Sequence, residues 1–364
     1  MKMDELKNYI EKNSIVDGVL EELKKAKLPL VIFGAGDRAN YLYRYLKKSS
    51  IGVDAIVVNA PYWKSEILLD DMLVEKYETI LEKYPKINII LGISGALLKG
   101  RDLFNSPNVN KVYALSVGVM DDYLLEYAFF IEHYAILQDF YKSLADNLSQ
   151  KLLVAHINGR ITGKDIDFDL APYRDPEYFF AEFMKDQMEF IVDGGAFIGD
   201  TVEEYKAKIS AEKFRGSRMY CFEPDQDNYR KLIERYGKSD NVSCYNLGLW
   251  HDEDELCFNN VGGEAGAILQ DGNCKIKVNS MDNVLKDNKV TFIKMDIEGS
   301  ELEALKGAQK IIRQQKPTLA ICVYHKKADL LTIPQYIHSL VPEYKFYLRT
   351  HSAMPTELVL FAIM

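Results

Sequence analysis

The sequence predicts an α/β protein built from two doubly wound domains, and three observations predict it. Short β-branched runs alternate with amphipathic helical stretches along most of the chain, as expected where crossover helices link parallel strands. A glycine-rich turn between an apolar strand and a helix occurs twice, in LVIFGAGDRANYLYRYL at 30–46 and FIVDGGAFIGDTVEEY at 190–205. The 364 residues exceed one ordinary core and suit two domains of roughly 150–200 residues each.

The composition, 48% hydrophobic and 27% charged, is that of a globular chain. With 45 basic and 54 acidic residues the formal charge is −9, so the average surface repels polyanions and nucleic acid is not an expected partner. No run of about 18 apolar residues occurs, and the opening MKMDELKNYIEKNS is charged and amphipathic. A cytoplasmic protein without a membrane partner is expected. The cysteines (Cys221, Cys244, Cys257, Cys274, Cys322) are odd in number and lack CxxC spacing, which predicts reduced and mostly buried thiols.

Taken in order, a polar N-terminal helix precedes strand 28–33 and the loop GAGDRA. Strand 53–59, a helix near 67–83, strand 87–94, a short helix and strand 111–117 complete a first, Rossmann-like domain at 1–120. Residues 121–165 open with a long stretch free of Gly and Pro, with aromatic residues on helical faces. They end in the turn-rich INGRITGKD and predict a helical linker and lid. In the third segment, 166–364, strands are expected in EFIVDGG, SRMYCFEP, NVSCYNLGLW, VTFIKMDIEG and TLAICVYHK. YKFYLRTHS and TELVLFAIM follow as an antiparallel hairpin at the sheet edge.

The second glycine loop is acidic at both ends. Asp193 closes its strand and Asp200 opens its helix, with Gly194, Gly195, Ala196, Phe197 and Gly199 between them and Thr201 after. A carboxylate inside such a turn opposes a pyrophosphate at the helix N-terminus. A phosphate-free ligand carrying an ammonium and a sulfonium suits it better. Strand two ends in Glu223 and Pro224, where a carboxylate can accept hydrogen bonds from ribose hydroxyls, and strand four ends in a further acid, Asp296.

The ordered motifs VDGGAFIGDT, CFEPDQDNYRKL, NSMDNVL and FIKMDIEGSELEALKGAQKII resemble the FkbM-type family of S-adenosylmethionine-dependent methyltransferases over about residues 190–364. The resemblance implies a class I methyltransferase fold for the C-terminal domain and S-adenosylmethionine as cofactor. It places Asp193, Gly195, Gly199 and Thr201 in the cofactor loop, Glu223 at the ribose, and Asn228 on the following helix. Gly194, Ala196, Phe197, Asp200, Pro224, Gly248 and Asp296 complete the cofactor-binding set. Lys294, Asp296, Glu298, Gly299 and Glu301 fall beside the transferred methyl. Many relatives end strand five in Glu-x-His; here Val323, Tyr324, His325 and Lys326 stand there. The implied reaction is O-methylation of a hydroxyl on a sugar, nucleotide sugar or other small metabolite.

Attack by a hydroxyl requires a proton acceptor, and ligands of open α/β sheets bind at the carboxyl ends of the strands. His325, Asp296 and Glu298 are therefore the candidate catalytic residues, with His325 as a general base whose unperturbed pKa is near neutral and which a carboxylate such as Asp296 can orient and tune. The same three side chains are alternatively ligands for a divalent metal. Lys294 is read as either a strand residue or a pocket cation, His351 as core or pocket, and the loop 259–272 with DPEYFF at 175–180 as either surface or cover. Trp250 is expected to line the region near the adenine or to pack beneath it.

The first loop fits G-x-G-x-x-A through Gly34, Gly36 and Ala39, is followed by Arg38, and lacks the acid of NAD sites, with Asn59 in its place. Nucleotide binding, or a docking and homodimerisation platform, are its two readings. The rival functions for the whole chain are an NAD-dependent nucleotide-sugar oxidoreductase and a non-catalytic nucleotide-binding scaffold.

Overall fold

A computed structural model describes residues 5–64, 67–93, 104–117, 124–166, 178–180, 183, 189–259, 266–268, 272–350 and 357–364. The chain divides into two compact units, one of residues 1–134, 151–173 and 352–357, the other of 135–150, 174–351 and 358–364. This differs from the expected cuts at 120 and 165. The segment anticipated as a linker is shared out between the two units.

In the first unit, strands β1 (Leu30–Phe33), β2 (Ala55–Val58), β3 (Leu68–Leu69), β4 (Met72–Lys76), β5 (Ile87–Leu91) and β6 (Val109–Tyr113) form one sheet in the order β3-β4-β2-β1-β5-β6. All neighbours are parallel except β3 and β4. Alternate residues of β1 serve opposite layers: Leu30 and Ile32 pack with Leu20, Leu42 and Leu46, whereas Val31 and Phe33 pack with Tyr77 and Ile80. Both faces are thus covered, as a parallel sheet requires. The helix expected near 67–83 is a correction: only Tyr77–Lys83 is helical, and β3 and β4 precede it as a hairpin whose turn holds Asp70 at φ 56°.

Helices Tyr127–Glu132, Tyr134–Ser143 and Asn147–Thr162 follow. Phe130 and Tyr141 are completely buried, so the aromatic periodicity of this stretch serves packing.

The second unit is built on β7 (Phe190–Gly194), β8 (Arg218–Phe222), β9 (Val242–Tyr245), β14 (Phe292–Met295), β15 (Thr318–Cys322), β16 (Lys345–Thr350) and β17 (Leu358–Ile363). Their order is β16-β17-β15-β14-β7-β8-β9, with β17 antiparallel to both of its neighbours. The parallel core and the antiparallel hairpin at one edge are as expected. A second, four-stranded sheet was not expected: β10 (Gly248–Leu249), β11 (Asp254–Asn259), β12 (Ala267–Ile268) and β13 (Cys274–Asn279) pair as β10-β13-β11-β12. The expected third strand, NVSCYNLGLW, is accordingly split between the two sheets. None of the five cysteines forms a disulfide, but burial is complete only at Cys221 and Cys322, while Cys274 is exposed on β13. Among the described residues no helix is long and apolar enough to cross a membrane.

Candidate active site

Strand β7 lies between β8 and β14, so the carboxyl ends of these strands and of β15 bring the predicted acids together. Register pairs Asp193 with Cys221 and with Lys294, and Gly194 with Phe222 and with Met295. Glu223 and Asp296 therefore leave the sheet on either side of the glycine turn.

The turn tolerates only glycine where it touches the sheet. Gly195 has φ 75°, and a Cβ there would stand 2.0 Å from the carbonyl oxygen of Asp296. At Gly199, with φ 88°, a Cβ would stand 2.4 Å from the Tyr236 ring. Phe197 also adopts a positive φ of 45°, a conformation that surrounding structure must enforce. Glu223 enforces it: one carboxylate oxygen accepts the Phe197 N–H at 2.8 Å, and the other accepts the Asp225 N–H at 2.8 Å. Glu223 is buried, and burial pushes its carboxyl up to about 7 despite these donors. Pro224 approaches Gly248 in β10, and Asp225 caps the helix Gln226–Tyr236, in whose first turn Asn228 is buried.

Asp193 lies beneath the turn. It is wholly buried, 3.1 Å from the Lys294 ammonium, which also donates to the Gly195 carbonyl at 2.9 Å. Burial raises the Asp193 carboxyl to about 6, with Lys294 opposing. The lysine is raised above its ordinary range: burial works against its charge, but Asp193 and Asp296 outweigh it. Lys294 is thus a buried structural cation. Ala196 and Thr201 are buried in the turn and the following helix, whereas Asp200 is exposed.

Beyond β14 and β15, His325 gathers the remaining acids. Its Nε2 lies 3.3 Å from Asp296 and 3.5 Å from Glu298, and its Nδ1 lies 3.0 Å from Glu301. The candidate catalytic residues therefore do converge. Glu298 and Gly299 hold successive positive φ values of 53° and 90° at this corner. The carboxylates around His325 shift it from its unperturbed, near-neutral value. Burial lowers it, but Glu301 and Asp296 drive it well above its usual value, so these carboxylates favour the imidazolium form. Asp296 is held below the usual carboxylate range, because His325, Lys294 and Tyr178 overcome its burial. Asp329, close to Glu301, is pushed up to about 7 by burial and by that neighbour.

Sequence reasoning missed four participants: Tyr178, Tyr324, Glu301 as a direct histidine partner, and Asp329. The Tyr178 hydroxyl donates to Asp296 Oδ2 at 2.8 Å and that of Tyr324 to Oδ1 at 3.4 Å. The helical offset of Glu301 behind the left-handed corner was a signal for one of them. Trp250 packs on Phe258, Ile276 and Val278 of the small sheet. His351, residues 175–177 and residues 260–265 and 269–271 lie outside the described residues.

In the first unit, Gly34 (φ 125°) abuts Gly92 and Ile93, and Gly36 precedes helix Asp37–Lys48 without a side-chain cap. Arg38, which follows Gly36, pairs with Asp165 at 2.9 Å and donates to the Leu115 carbonyl at 3.0 Å. Its charge is thereby neutralised within the fold.

Residues 193–346 match the model of the Methyltransferase FkbM domain. Among solved structures, the methyltransferase FkbM from Methylobacillus flagellatus KT is similar, with 22% identity and a TM-score of 0.68 over 98% of this chain and 95% of that one. Aeropyrum pernix fibrillarin with natively bound S-adenosyl-L-methionine matches 49% of this chain and 67% of its own, with 10% identity and a TM-score of 0.29. No curated protein is significantly similar in sequence. The domain match and the convergence of its acids at the strand ends lead to one assignment: residues 193–346 are a methyltransferase domain of the FkbM family.

Proposed function

We propose that the chain is an S-adenosylmethionine-dependent O-methyltransferase acting on a hydroxyl of a sugar, nucleotide sugar or other small metabolite. The observation that carries this reading is the grouping of Asp193, Glu223 and Asp296 around one glycine turn at the carboxyl ends of adjacent strands. Negative charge there favours an ammonium and a sulfonium over a pyrophosphate. Glu223 fits the ribose: a buried acid raised to about 7 gains when hydroxyl donors join its two backbone donors.

The cofactor, when bound, supplies a methyl group that is already electrophilic. The protein must align the acceptor oxygen and remove its proton as the O–H bond gives way to an O–CH3 bond. Because its carboxylate neighbours favour the imidazolium form of His325, we assign proton acceptance to the carboxylates at its Nε2 edge, Asp296 and Glu298. His325 then orients Asp296 and Glu298 and limits their mutual repulsion. The second reading is a divalent cation at Asp296, Glu298 and His325, whose ligand atoms lie within 4.8 Å of one another. Calorimetric titration with Mg²⁺ or Mn²⁺ tests it.

Methyl-labelled S-adenosylmethionine with a panel of sugars and nucleotide sugars tests the main reading. A labelled methyl ether supports it, and label found only on an amine or a carboxylate contradicts it.

A further inference from the structure

We propose that Tyr178 is a positioning residue that locks the Asp296 carboxylate, and that the aromatic segment carrying it forms a fixed wall of the site. The role of Asp296 in methyl transfer is the reading given above, on which this inference rests. Tyr178 precedes the matched domain, which begins at residue 193, and lies in a stretch with no regular secondary structure.

Its hydroxyl reaches Asp296 Oδ2 at 2.8 Å and approaches the Cys322 sulfur at 3.9 Å. The side chain is 4% exposed, so this hydrogen bond to a charged acceptor forms away from water, where such bonds are strongest. The other oxygen, Oδ1, faces Tyr324 at 3.4 Å and His325 at 3.3 Å. Both oxygens of Asp296 are thus held from different elements, and the plane of its carboxylate is set.

Tyr178 is itself anchored. Its backbone N–H donates to Glu204 at 3.1 Å, and its ring lies 5.1 Å from the Lys294 ammonium. Phe179 packs 5.2 Å from Tyr205 and 5.4 Å from Phe292, and Phe180 lies edge-on to Phe361 at 5.7 Å. Successive side chains therefore grip a helix, the core strand β14 and β17. Through Tyr178 this segment contacts the catalytic candidate Asp296. Tyr178–Phe180 thus form a packed wall.

Tyr178→Phe keeps the ring and removes the hydroxyl. With methyl-labelled S-adenosylmethionine and the nucleotide-sugar panel as probes, kcat is expected to fall about tenfold or more through misalignment. The KM for S-adenosylmethionine should stay within about twofold and the melting temperature near wild type. A carbon-13 carboxyl spectrum, assigned with Asp296→Asn, should show the Asp296 signal displaced in Tyr178→Phe. Unchanged kcat, or an unmoved Asp296 signal, overturns the proposal. If the wild type transfers no label, the enzymatic reading fails separately, and the carboxyl spectrum alone decides whether Tyr178 holds Asp296.

Discussion

Nδ1 of His325 stands 3.0 Å from Oε1 of Glu301, and neither side chain is open to solvent. The charge on this histidine is thus a structural element as well as a chemical one. Its pKa is raised in the folded state, so the stability it contributes is complete below about 6.5 and is lost as pH rises through the higher folded value. Replacing His325 with Asn should cost about 3–5 kcal/mol at pH 7, since it strands buried carboxylates. Urea denaturation should show that cost shrinking at alkaline pH; a cost equal at all pH values would contradict the account.

Gly195→Ala should be among the most damaging small substitutions. The added methyl would meet the Asp296 carbonyl oxygen at 2.0 Å on a backbone with φ 75°. The combined steric and conformational penalty is about 3 kcal/mol or more. Thermal denaturation and cofactor binding should both show the defect, whereas Gly18→Ala, with open space around its Cβ, should show neither.

Glu223 separates stability from binding. Its carboxyl rises from an ordinary 4.5 to about 7 on folding, so the folded state binds the proton more tightly and loses up to about 3 kcal/mol as pH rises from 5 to 8. In Glu223→Gln that pH dependence should flatten while affinity for S-adenosylmethionine drops. A variant that keeps the wild-type pH slope contradicts the burial argument.

Lys294 and Asp193 should behave as one unit. Lys294→Met alone leaves a wholly buried carboxylate without its cation, which should cost about 3–5 kcal/mol. Adding Asp193→Asn should recover a large part of that loss, so the two substitutions should be strongly non-additive in a double-mutant cycle. Additive losses would mean that the pair does not interact.

The parts of this molecule that are legible in the sequence are those set by local pattern. Runs such as FIV in β7 and LAIC in β15 are apolar because both faces of their sheet are covered, and their ends mark where Asp193, Glu223, Asp296 and His325 must lie. DELCFN and CKIKVN alternate as strands do, but adjacent acidic and glycine-rich residues disguised them as loops. The hairpin at Leu68–Lys76 was hidden for a related reason: its apolar residues also fit a helical period. The state of His325 was not legible because it depends on Glu301 and Asp296, whose convergence on its ring is a property of tertiary structure. Tyr178 was hidden for the same reason, since 118 residues separate it from Asp296.

The central claim is that the acidic turn at Gly195 and the carboxylate of Glu223 form a site for S-adenosylmethionine. Isothermal titration of the full chain with S-adenosylmethionine tests it most directly. The account predicts saturable one-site binding that Glu223→Ala weakens at least tenfold; absence of binding by the folded wild type, or equal binding by Glu223→Ala, would contradict it.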